Sequence, residues 1–506
     1  EDAGGRFMFN TAISSIMELV NEMYRYKEGD VNVGFFGKAI KDLILILSPF
    51  TPHICEEMWH DIGQNESVAV MSWPEFDESA LVKDEVEVIV QINGKLKDKL
   101  SVANNLDKAA LEKAAMESDK IMTTKGDRYT VFSLWDTYRN VHQLLTLVYP
   151  ERQMEMVRTM LDMYREHGWL PKWELYGRET LTMEGDPSIP VIVDTWMKGL
   201  RDFDVDLAYE AMYKSATLPG AKNLMRPDND DYMSKGYVPL REQYDNSVSH
   251  ALEYYIADFA LSRFAEALGK KKDAEMFYKR SLGYKHYYSK EFGTFRPILP
   301  DGTFYSPFNP RQGENFEPNP GFHEGSAWNY SFYVPHDVYG LAKLMGGKNP
   351  FIKKLQMVFD EGLYDPANEP DIAYAHLFSY FRGEEWRTQK ETQRLLDKYF
   401  TTKPNGIPGN DDTGTMSAWA IFNMIGFYPD CPGLPEYTLT TPVFNKVTIR
   451  LDPKWYKEKE LVIESNRTQP GTLYINKVLL NGKKFNQYRI THDELVHSQR
   501  ILFDLK

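Results

Sequence analysis

Helical segments follow one another from residue 136 to residue 425, and few folds accommodate so many. Apolar side chains recur at helical spacing, and loops rich in Gly, Pro, Asn and Asp separate the segments. About a dozen such helices suit a toroid of paired helices with functional loops at one end. The predicted helices span 136–148, 151–166, 187–199, 204–214, 245–268, 271–289, 326–345, 350–359, 371–382, 386–398 and 415–425.

Different patterns lie on either side of this region. Residues 6–28, 34–47 and a stretch that begins at Thr51-Pro52 are predicted to be helices, followed by a strand over 85–92 that alternates cleanly. Asn93-Gly94 predicts a hairpin turn that returns the chain over 95–102, and 107–119 is predicted to be helical. After Tyr428-Pro429 the pattern predicts antiparallel strands at 446–451, 460–464, 472–475 and 501–505.

Composition supports a chain of at least two parts. The 506 residues carry a net charge of −14, and residues 1–120 contribute −10 of it, from 22 acidic and 12 basic side chains. The character of the sequence changes near Met122–Asp127. The acidic balance argues against nonspecific binding to nucleic acid or to anionic membranes. Cys55 and Cys431 are the two cysteines, so neither a disulfide framework nor a thiolate metal site is expected.

Nothing in the sequence predicts a membrane span, a signal peptide or a protein partner. No apolar run reaches about eighteen residues, the length that a spanning helix needs. The sequence begins at Glu1 without Met, which is typical of a fragment edge. The compartment therefore stays open.

The first 121 residues carry several motifs in a fixed order. They are FNTAISSIMELVNEMY at 9–24, SPFTPHICEEMW at 48–59, SWP at 72–74 and VQINGKLKDK at 90–99. This segment resembles the C-terminal part of bacterial leucyl-tRNA synthetases, which implies a helical anticodon-binding domain and the start of a small α/β domain. The ATP-holding signatures of that family, His-x-Gly-His and Lys-Met-Ser-Lys-Ser, do not occur here, so no aminoacyl-tRNA ligase activity is expected. The acidic balance makes tRNA a weak partner.

Carboxylates beside aromatic residues stand out in the second part. Glu324 precedes Gly325 and Trp328, a setting that can raise the pKa of a general acid, although a carboxylate at a helix N-terminus is the alternative. Asp411 and Asp412 lie in PGNDDTGTMSAW at 408–419, where adjacent carboxylates can activate a water or form a turn and helix cap.

Two more stretches add oxygen ligands and a sugar platform. Asn368 and Glu369 open NEPD, and their oxygens suit a hard cation such as calcium; a Pro-led helix start is the alternative. Asp136 and Arg139, beside Trp135 in LWDTYR, suit contacts with sugar hydroxyls; a buried ion pair at a helix start is the alternative.

Together these stretches resemble glycoside hydrolase family 92, the calcium-dependent, inverting exo-α-mannosidases. Further matches are YTVFSLWDTYR at 129–139, SVSHALEYY at 247–255, EGSAWNY at 324–330, VPHD at 334–337 and GFYP at 426–429. The resemblance implies an (α/α)6 toroid and Ca²⁺, with Glu324 as general acid, Asp412 as general base and Asp411 in support. It implies metal ligands at Asn368 and Glu369. It places the remaining candidates against the substrate: Trp135, Asp136, Arg139, Trp328, His336, Asp337 and Asn410.

The predicted protein is mostly α, with three parts. Residues 1–122 form the synthetase-like helical domain with a β-hairpin, 123–429 form the toroid, and 430–506 form an antiparallel β tail. The expected activity is hydrolysis of terminal α-mannosidic linkages in glycans, impaired by the lack of the β-sandwich that precedes the toroid in the family. The alternatives are a tRNA-binding fragment and an inactive join of two genes. Members of the family are usually exported by bacteria, but this sequence shows no export signal.

Overall fold

The computed structural model divides the chain into two compact units, Glu1–Ile121 and Met122–Lys506. It describes residues 9–75, 85–92, 95–116, 118, 126–241, 246–313, 317–467, 469 and 471–506. The predicted Asn93-Gly94 turn lies outside the described residues, as do residues 122–125 of the stretch where the sequence changes character.

The first unit has three helices, a two-stranded antiparallel hairpin and a fourth helix. Asn32 caps the second helix by accepting a hydrogen bond from the Phe35 N–H, and Pro52 begins the third, where its missing N–H costs nothing. A small core of Ile44, Cys55, Trp59 and Val68 lies between the second and third helices. The elements are Phe9–Lys27 (α1), Val33–Leu47 (α2), Pro52–Asp61 (α3), Glu85–Ile92 (β1), Lys95–Ala103 (β2) and Lys108–Met116 (α4).

The second unit is built mainly from helices around one large apolar core. They are Leu134–Thr137 (α5), Val141–Val148 (α6), Pro150–His167 (α7), Ser188–Met197 (α8), Val205–Thr217 (α9), Asn229–Lys235 (α10), Ser247–Ala267 (α11), Lys271–Ser281 (α12), Ala327–Tyr330 (α13), Val338–Leu344 (α14), Lys348–Asp360 (α15), Glu385–Tyr399 (α16), Thr415–Ile425 (α17) and His492–Val496 (α18). The central helix α11 is buried almost all round and packs against α8, α9 and α12. Among the described helices, none is long and apolar enough to cross a membrane.

Four predicted helices are interrupted or end early. The one predicted at 271–289 ends at Ser281, and the chain continues as a 3₁₀ turn at Leu282–Tyr287 and a short strand at Tyr288–Ser289. The helix predicted at 136–148 breaks at Asn140, whose φ of −159° is not helical. The one predicted at 326–345 becomes α13, a 3₁₀ turn at Pro335–Asp337 and α14. The residue before Pro335, Val334, has a non-helical φ of −135°, as residues that precede proline commonly do. The prediction of an α-helix over 371–382 was wrong: the chain forms 3₁₀ turns at Glu369–Asp371 and Tyr374–Tyr380.

Short strands in the second unit position loops. Phe132–Ser133 (β3), Trp173–Leu175 (β4) and Arg178–Glu179 (β5) form one small sheet, and Tyr288–Ser289 (β6) and Thr294–Phe295 (β7) form another. The β3 strand leads directly into α5 and so fixes the start of a segment that carries three candidate site residues.

The C-terminal tail contains two sheets, and one of them is mixed. The larger sheet has the order β10-β11-β15-β12-β13, in which β11 and β15 pair in parallel and the other neighbours pair antiparallel. The predicted antiparallel arrangement therefore holds for all pairs but one, and the strand predicted at 472–475 begins only at Ile475. The strands are Phe427–Tyr428 (β8), Glu436–Leu439 (β9), Lys446–Arg450 (β10), Glu460–Arg467 (β11), Ile475–Leu480 (β12), Lys483–Phe485 (β13), Arg489–Thr491 (β14) and Arg500–Leu505 (β15).

Candidate active site

Four carboxylates from distant segments interact with one another: Asp136, Glu324, Glu369 and Asp412. We call them the carboxylate cluster. The side chain of Glu369 forms a hydrogen bond with that of Asp412, and the charges of Asp412 and Glu324 both act on Asp136. Asp136 lies in α5, Glu324 precedes α13, Glu369 opens a 3₁₀ turn and Asp412 precedes α17. The fold thus brings together four of the residues that the sequence singled out.

Burial and the charges of neighbouring carboxylates make ionisation of Asp136 and of Glu369 costly. Burial, followed by the charges of Asp412 and Glu324, raises the pKa of Asp136 to about 7, against the opposing effects of the Ser133 hydroxyl and Arg139. Burial also raises the pKa of Glu369 well above its usual value, and Asp136 and Asp412 raise it further. A site of this kind favours bound protons or a cation.

The two residues predicted to be acid and base share an unusual backbone conformation. Glu324 has a φ of 48° and Asp412 a φ of 46°, in the left-handed region that non-glycine residues rarely adopt. Next to Glu324, the chain passes so close to Asn368 that a Cβ on Gly325 would lie 2.8 Å from its Nδ2. Neighbouring contacts therefore hold both loops in a conformation that costs free energy, as is common at functional sites.

Asn368 connects the loop of Glu324 to the turn of Glu369. Its Nδ2 donates a hydrogen bond to the Glu324 carbonyl at 2.8 Å, while its Oδ1 is buried and has no hydrogen-bond partner among the described residues. Asn368 and Glu369 are both buried. An orphaned amide oxygen beside a carboxylate is a donor set that calcium accepts. In the described part of the chain, no group of three or more His, Cys, Asp or Glu side chains could hold a metal by itself.

A pocket of about 410 Å³ opens beside Glu324 and Asn368. Main-chain atoms and small residues form much of its wall, so a polar ligand can approach the backbone closely. Its lining residues are Gly313, Glu324, Gly325, Asn329, Gly362, Leu363, Tyr364, Asp365, Pro366, Ala367, Asn368, Tyr399, Pro408 and Gly409.

The neighbours of Asp412 hold its loop against α17. The Asp411 Oδ1 accepts a hydrogen bond from the Ser417 N–H at 2.8 Å, and the Asp411 carbonyl accepts others from Gly414 and Met416. Asp411 therefore fastens the loop to the first turn of the helix, as a capping carboxylate does. Asn410 is exposed at the surface of the same loop.

The predicted residues Trp135 and Arg139 converge on Glu253, which was not among the predicted site residues. Glu253 accepts hydrogen bonds from Trp135 Nε1 at 3.1 Å and from Arg139 Nη2 at 2.7 Å, and also from two tyrosine hydroxyls. Burial raises the pKa of Glu253 to about 7, although Arg139 opposes the shift. The buried Arg139 Nη1 has no hydrogen-bond partner among the described residues, so one donor in this region is left for another group.

The other three predicted substrate-binding residues have structural contacts. Trp328 is buried in the main core. The His336 Nε2 lies 2.9 Å from the Ser281 carbonyl, and Asp337 accepts a hydrogen bond from the Tyr284 hydroxyl and caps α14. No contact that the structure describes joins His336 or Asp337 to the carboxylate cluster.

Comparison with known proteins identifies the family. Residues 100–506 match the glycosyl hydrolase family 92 catalytic domain, and residues 2–113 match the anticodon-binding domain of tRNA ligases. The chain belongs to glycosyl hydrolase family 92 and carries in addition an anticodon-binding domain of the tRNA ligase type, which confirms the recognition made from the sequence.

Solved structures support the same assignment. A family 92 inverting mannosidase from Bacteroides thetaiotaomicron is 32% identical, with a TM-score of 0.69 over 76% of this chain and 54% of that one. An α-mannosidase of the same family and organism, in complex with mannoimidazole, is 32% identical, with a TM-score of 0.70 over 77% and 52%. These likenesses confirm the predicted α/α toroid.

Two curated relatives match separate parts of the chain. An uncharacterized secreted glycosidase of Arthroderma benhamiae is 27% identical over 368 residues, or 66% of this chain and 46% of that protein. Leucine–tRNA ligase of Clostridium beijerinckii is 44% identical over 119 residues, or 23% of this chain and 15% of the ligase. The chain therefore spans about half the length of its glycosidase relatives and a small part of the ligase.

Proposed function

We propose that the second unit hydrolyses terminal α-mannosidic linkages of glycans with inversion at the anomeric carbon. The observation that carries this proposal is the convergence of Glu324 and Asp412 with two further carboxylates, from segments that lie far apart in the sequence. Inverting hydrolysis needs an acid and a base on opposite sides of a sugar ring. The family relationship supports glycosides as the substrate class.

The residues would divide the reaction between them. Glu324 donates a proton to the glycosidic oxygen as the bond from that oxygen to C1 breaks. Asp412 accepts a proton from the water whose oxygen attacks C1 from the opposite face, so that the released sugar is the β anomer. The buried Asp136 and the free Nη1 of Arg139 are suited to hold sugar hydroxyls.

A calcium ion fits this proposal, and Asn368 and Glu369 would hold it. The orphaned Asn368 Oδ1 supplies an amide oxygen, and the crowded carboxylate of Glu369 gains a counter-charge. When bound, the ion would polarise and orient sugar hydroxyls in the site. Because the described side chains provide few ligands by themselves, substrate and water would complete the coordination.

The test is turnover of an α-mannobiose and of 2,4-dinitrophenyl α-mannoside by the full chain. We expect release of mannose that a chelator abolishes and added calcium restores, and proton NMR at early times should show β-mannose first. Early α-mannose, or activity that survives chelation, would contradict the assigned roles. A chain that is inactive on both substrates in calcium would contradict the proposed activity for this chain.

A further inference from the structure

The imidazole of His323 lies between two carboxylates. Its Nδ1 is 3.2 Å from the Glu184 Oε1, and its Nε2 is 3.6 Å from the Glu324 Oε1. His323 directly precedes Glu324 in the chain, so the ring and the carboxyl that it faces start from adjacent backbone positions. The imidazole therefore lies between the buried carboxylate of Glu184 and the carboxyl of Glu324, which lines the pocket.

The backbone of this pair is fixed at several points. The His323 N–H donates to the Ser249 hydroxyl at 2.9 Å, and the His323 carbonyl accepts from the Tyr330 hydroxyl at 2.5 Å. The next carbonyl, that of Glu324, accepts from Asn368. These hydrogen bonds hold the main chain that carries the His323 side chain, independently of the contacts of the imidazole itself.

Glu184 is a well-anchored partner for the ring. It is buried, it lies 2.7 Å from His250 Nδ1, and it accepts a hydrogen bond from Asn246 Nδ2 at 2.9 Å. Burial raises the pKa of Glu184, but the charges of His250 and His323 outweigh burial and leave the pKa below its usual value. Glu184 thus presents a carboxylate to the ring.

Packing fixes the remaining faces of the ring. The Trp135 ring meets it edge to face, with centroids 5.7 Å apart, and the Met183 sulfur lies 3.1 Å from Nε2. Asn246 Nδ2 also lies 3.0 Å from Nδ1. Glu184 and Asn246 therefore lie at Nδ1. Trp135 packs against the ring, and the Met183 sulfur lies beside Nε2, the nitrogen that also faces Glu324.

The carboxyl of Glu324, by contrast, has little support. Its side chain is 38% exposed, and among the described residues the imidazole of His323 is the one basic side chain within 4.0 Å of it. An exposed glutamate samples several rotamers, and proton donation requires one of them. A neighbour that restricts those rotamers would therefore raise the rate without contacting the sugar.

We propose that His323, anchored by Glu184, is a positioning residue that fixes the Glu324 carboxyl for proton donation. The inference rests on the proposed function, since it assumes that Glu324 protonates a leaving oxygen. It assigns a role to two residues that were not among those predicted from the sequence. His323 itself gains and loses no proton in the reaction.

Substrates with different leaving groups distinguish a positioning role of His323 from a purely structural one. A dinitrophenolate leaves without protonation, whereas the alkoxide of a mannobiose needs it. His323→Ala should lower kcat/KM for the mannobiose at least about tenfold more than for the dinitrophenyl mannoside. His323→Gln, which keeps an N–H donor, should restore part of the loss. Added to Glu324→Gln, His323→Ala should cost the mannobiose rate little more.

A matched control is available on the surface. His497 lies 3.1 Å from Asp493 Oδ1 and is exposed, so His497→Ala removes a histidine beside a carboxylate far from α13 in the sequence. It should change neither rate. Equal losses on both substrates for His323→Ala, or none on either, would overturn the positioning role.

A spectroscopic measurement separates this inference from the proposed function. The imidazole ¹⁵N signals of His323, assigned by their loss in His323→Gln, should shift in both Glu184→Gln and Glu324→Gln. If the chemical shifts of these signals stay unchanged in either variant, the inference is overturned even if the enzyme is active. Shifted signals in an inactive protein would leave the contact intact and reject the mannosidase proposal alone.

Discussion

At the scale of single residues, the strained backbones of Glu324 and Asp412 set the two carboxyls apart from ordinary surface acids. A left-handed conformation costs a non-glycine residue about 1–2 kcal/mol. Hydrogen bonds from Asn368 to the Glu324 carbonyl and from Ser417 to Asp411 hold these loops in place. The free energy stored here is consistent with loops that aim side chains at a substrate.

The acid and the base should differ in their response to the leaving group. Asp412→Asn should abolish hydrolysis of a mannobiose and of a dinitrophenyl mannoside alike, because the attacking water loses its base in both reactions. Glu324→Gln should slow the mannobiose by about 10²–10⁴-fold and the aryl mannoside far less. Steady-state kinetics on both substrates checks this. Asp397→Asn on α16, an exposed carboxylate that pairs with Gln393, serves as the control.

Glu253 should make the stability of the second unit depend on pH. Its pKa is about 7 in the folded unit against 4.5 ordinarily, so the folded state binds the extra proton between those values. The stabilisation from this group is thus fully present below about pH 4.5 and is lost as the pH rises through 7, with a limit on the order of 3 kcal/mol. Urea titrations at pH 5 and pH 8 should show a smaller difference for Glu253→Gln than for the native chain. An equal difference would show that Glu253 does not titrate in this range.

The sequence predicts which residues carry catalytic chemistry better than it predicts which distant side chains contact them. Asp136, Glu324, Glu369 and Asp412 each lie in a short motif whose residue types suit catalysis, and the structure brings them together. Glu253 lies in SVSHALEYY at 247–255, which matches the family, but nothing in that stretch marks it as a site residue. It is an acid inside an apolar helix, and its partners Trp135 and Arg139 lie more than a hundred residues earlier.

At the scale of elements, the site depends on helices too short to be stable alone. The four-residue α13 is held by a capping box in which Ser326 and Asn329 satisfy each other's backbone and side-chain groups. The Tyr374 hydroxyl adds hydrogen bonds to the carbonyls of Trp328 and Asn329. Apolar periodicity predicted one long helix here, because tertiary hydrogen bonds leave no trace in the local pattern.

Asn329 should therefore be among the most sensitive positions near the site. Its side chain donates to Asp371 Oδ2 at 2.8 Å and accepts from the Ser326 N–H and hydroxyl, all in buried surroundings. Asn329→Ala removes these bonds and leaves Asp371 without one of its partners, so we expect a loss of about 3 kcal/mol. Chemical unfolding monitored by tryptophan fluorescence measures it. Asn476→Ala, which removes an exposed bond to Asp504, should cost under about 1 kcal/mol, and equal costs would contradict this account.

At the scale of the whole molecule, the two units differ sharply in how much core they bury. The first buries one small cluster around Ile44 and Trp59, whereas the second buries a core that extends from the toroid into the C-terminal sheets. Stability rises with the apolar area removed from water, so the second unit should be the more stable one. The change of charge and motif along the sequence indicated two parts, but their relative stability depends on packing that only the structure describes.

The two cysteines provide a direct measurement of this difference. Cys55 lies in the core of the first unit and Cys431 in the second, and both are buried, free thiols. A thiol reagent applied in brief pulses at rising urea concentration modifies a buried cysteine only after its unit opens. We expect mass spectrometry to show labelling of Cys55 at a lower urea concentration than Cys431, with an intermediate that carries one label. Cys55→Ser should remove the first step and leave the labelling midpoint of Cys431 unchanged, because the units unfold separately. Simultaneous labelling of both thiols, or a shifted Cys431 midpoint in that variant, would mean that the two units unfold as one cooperative structure.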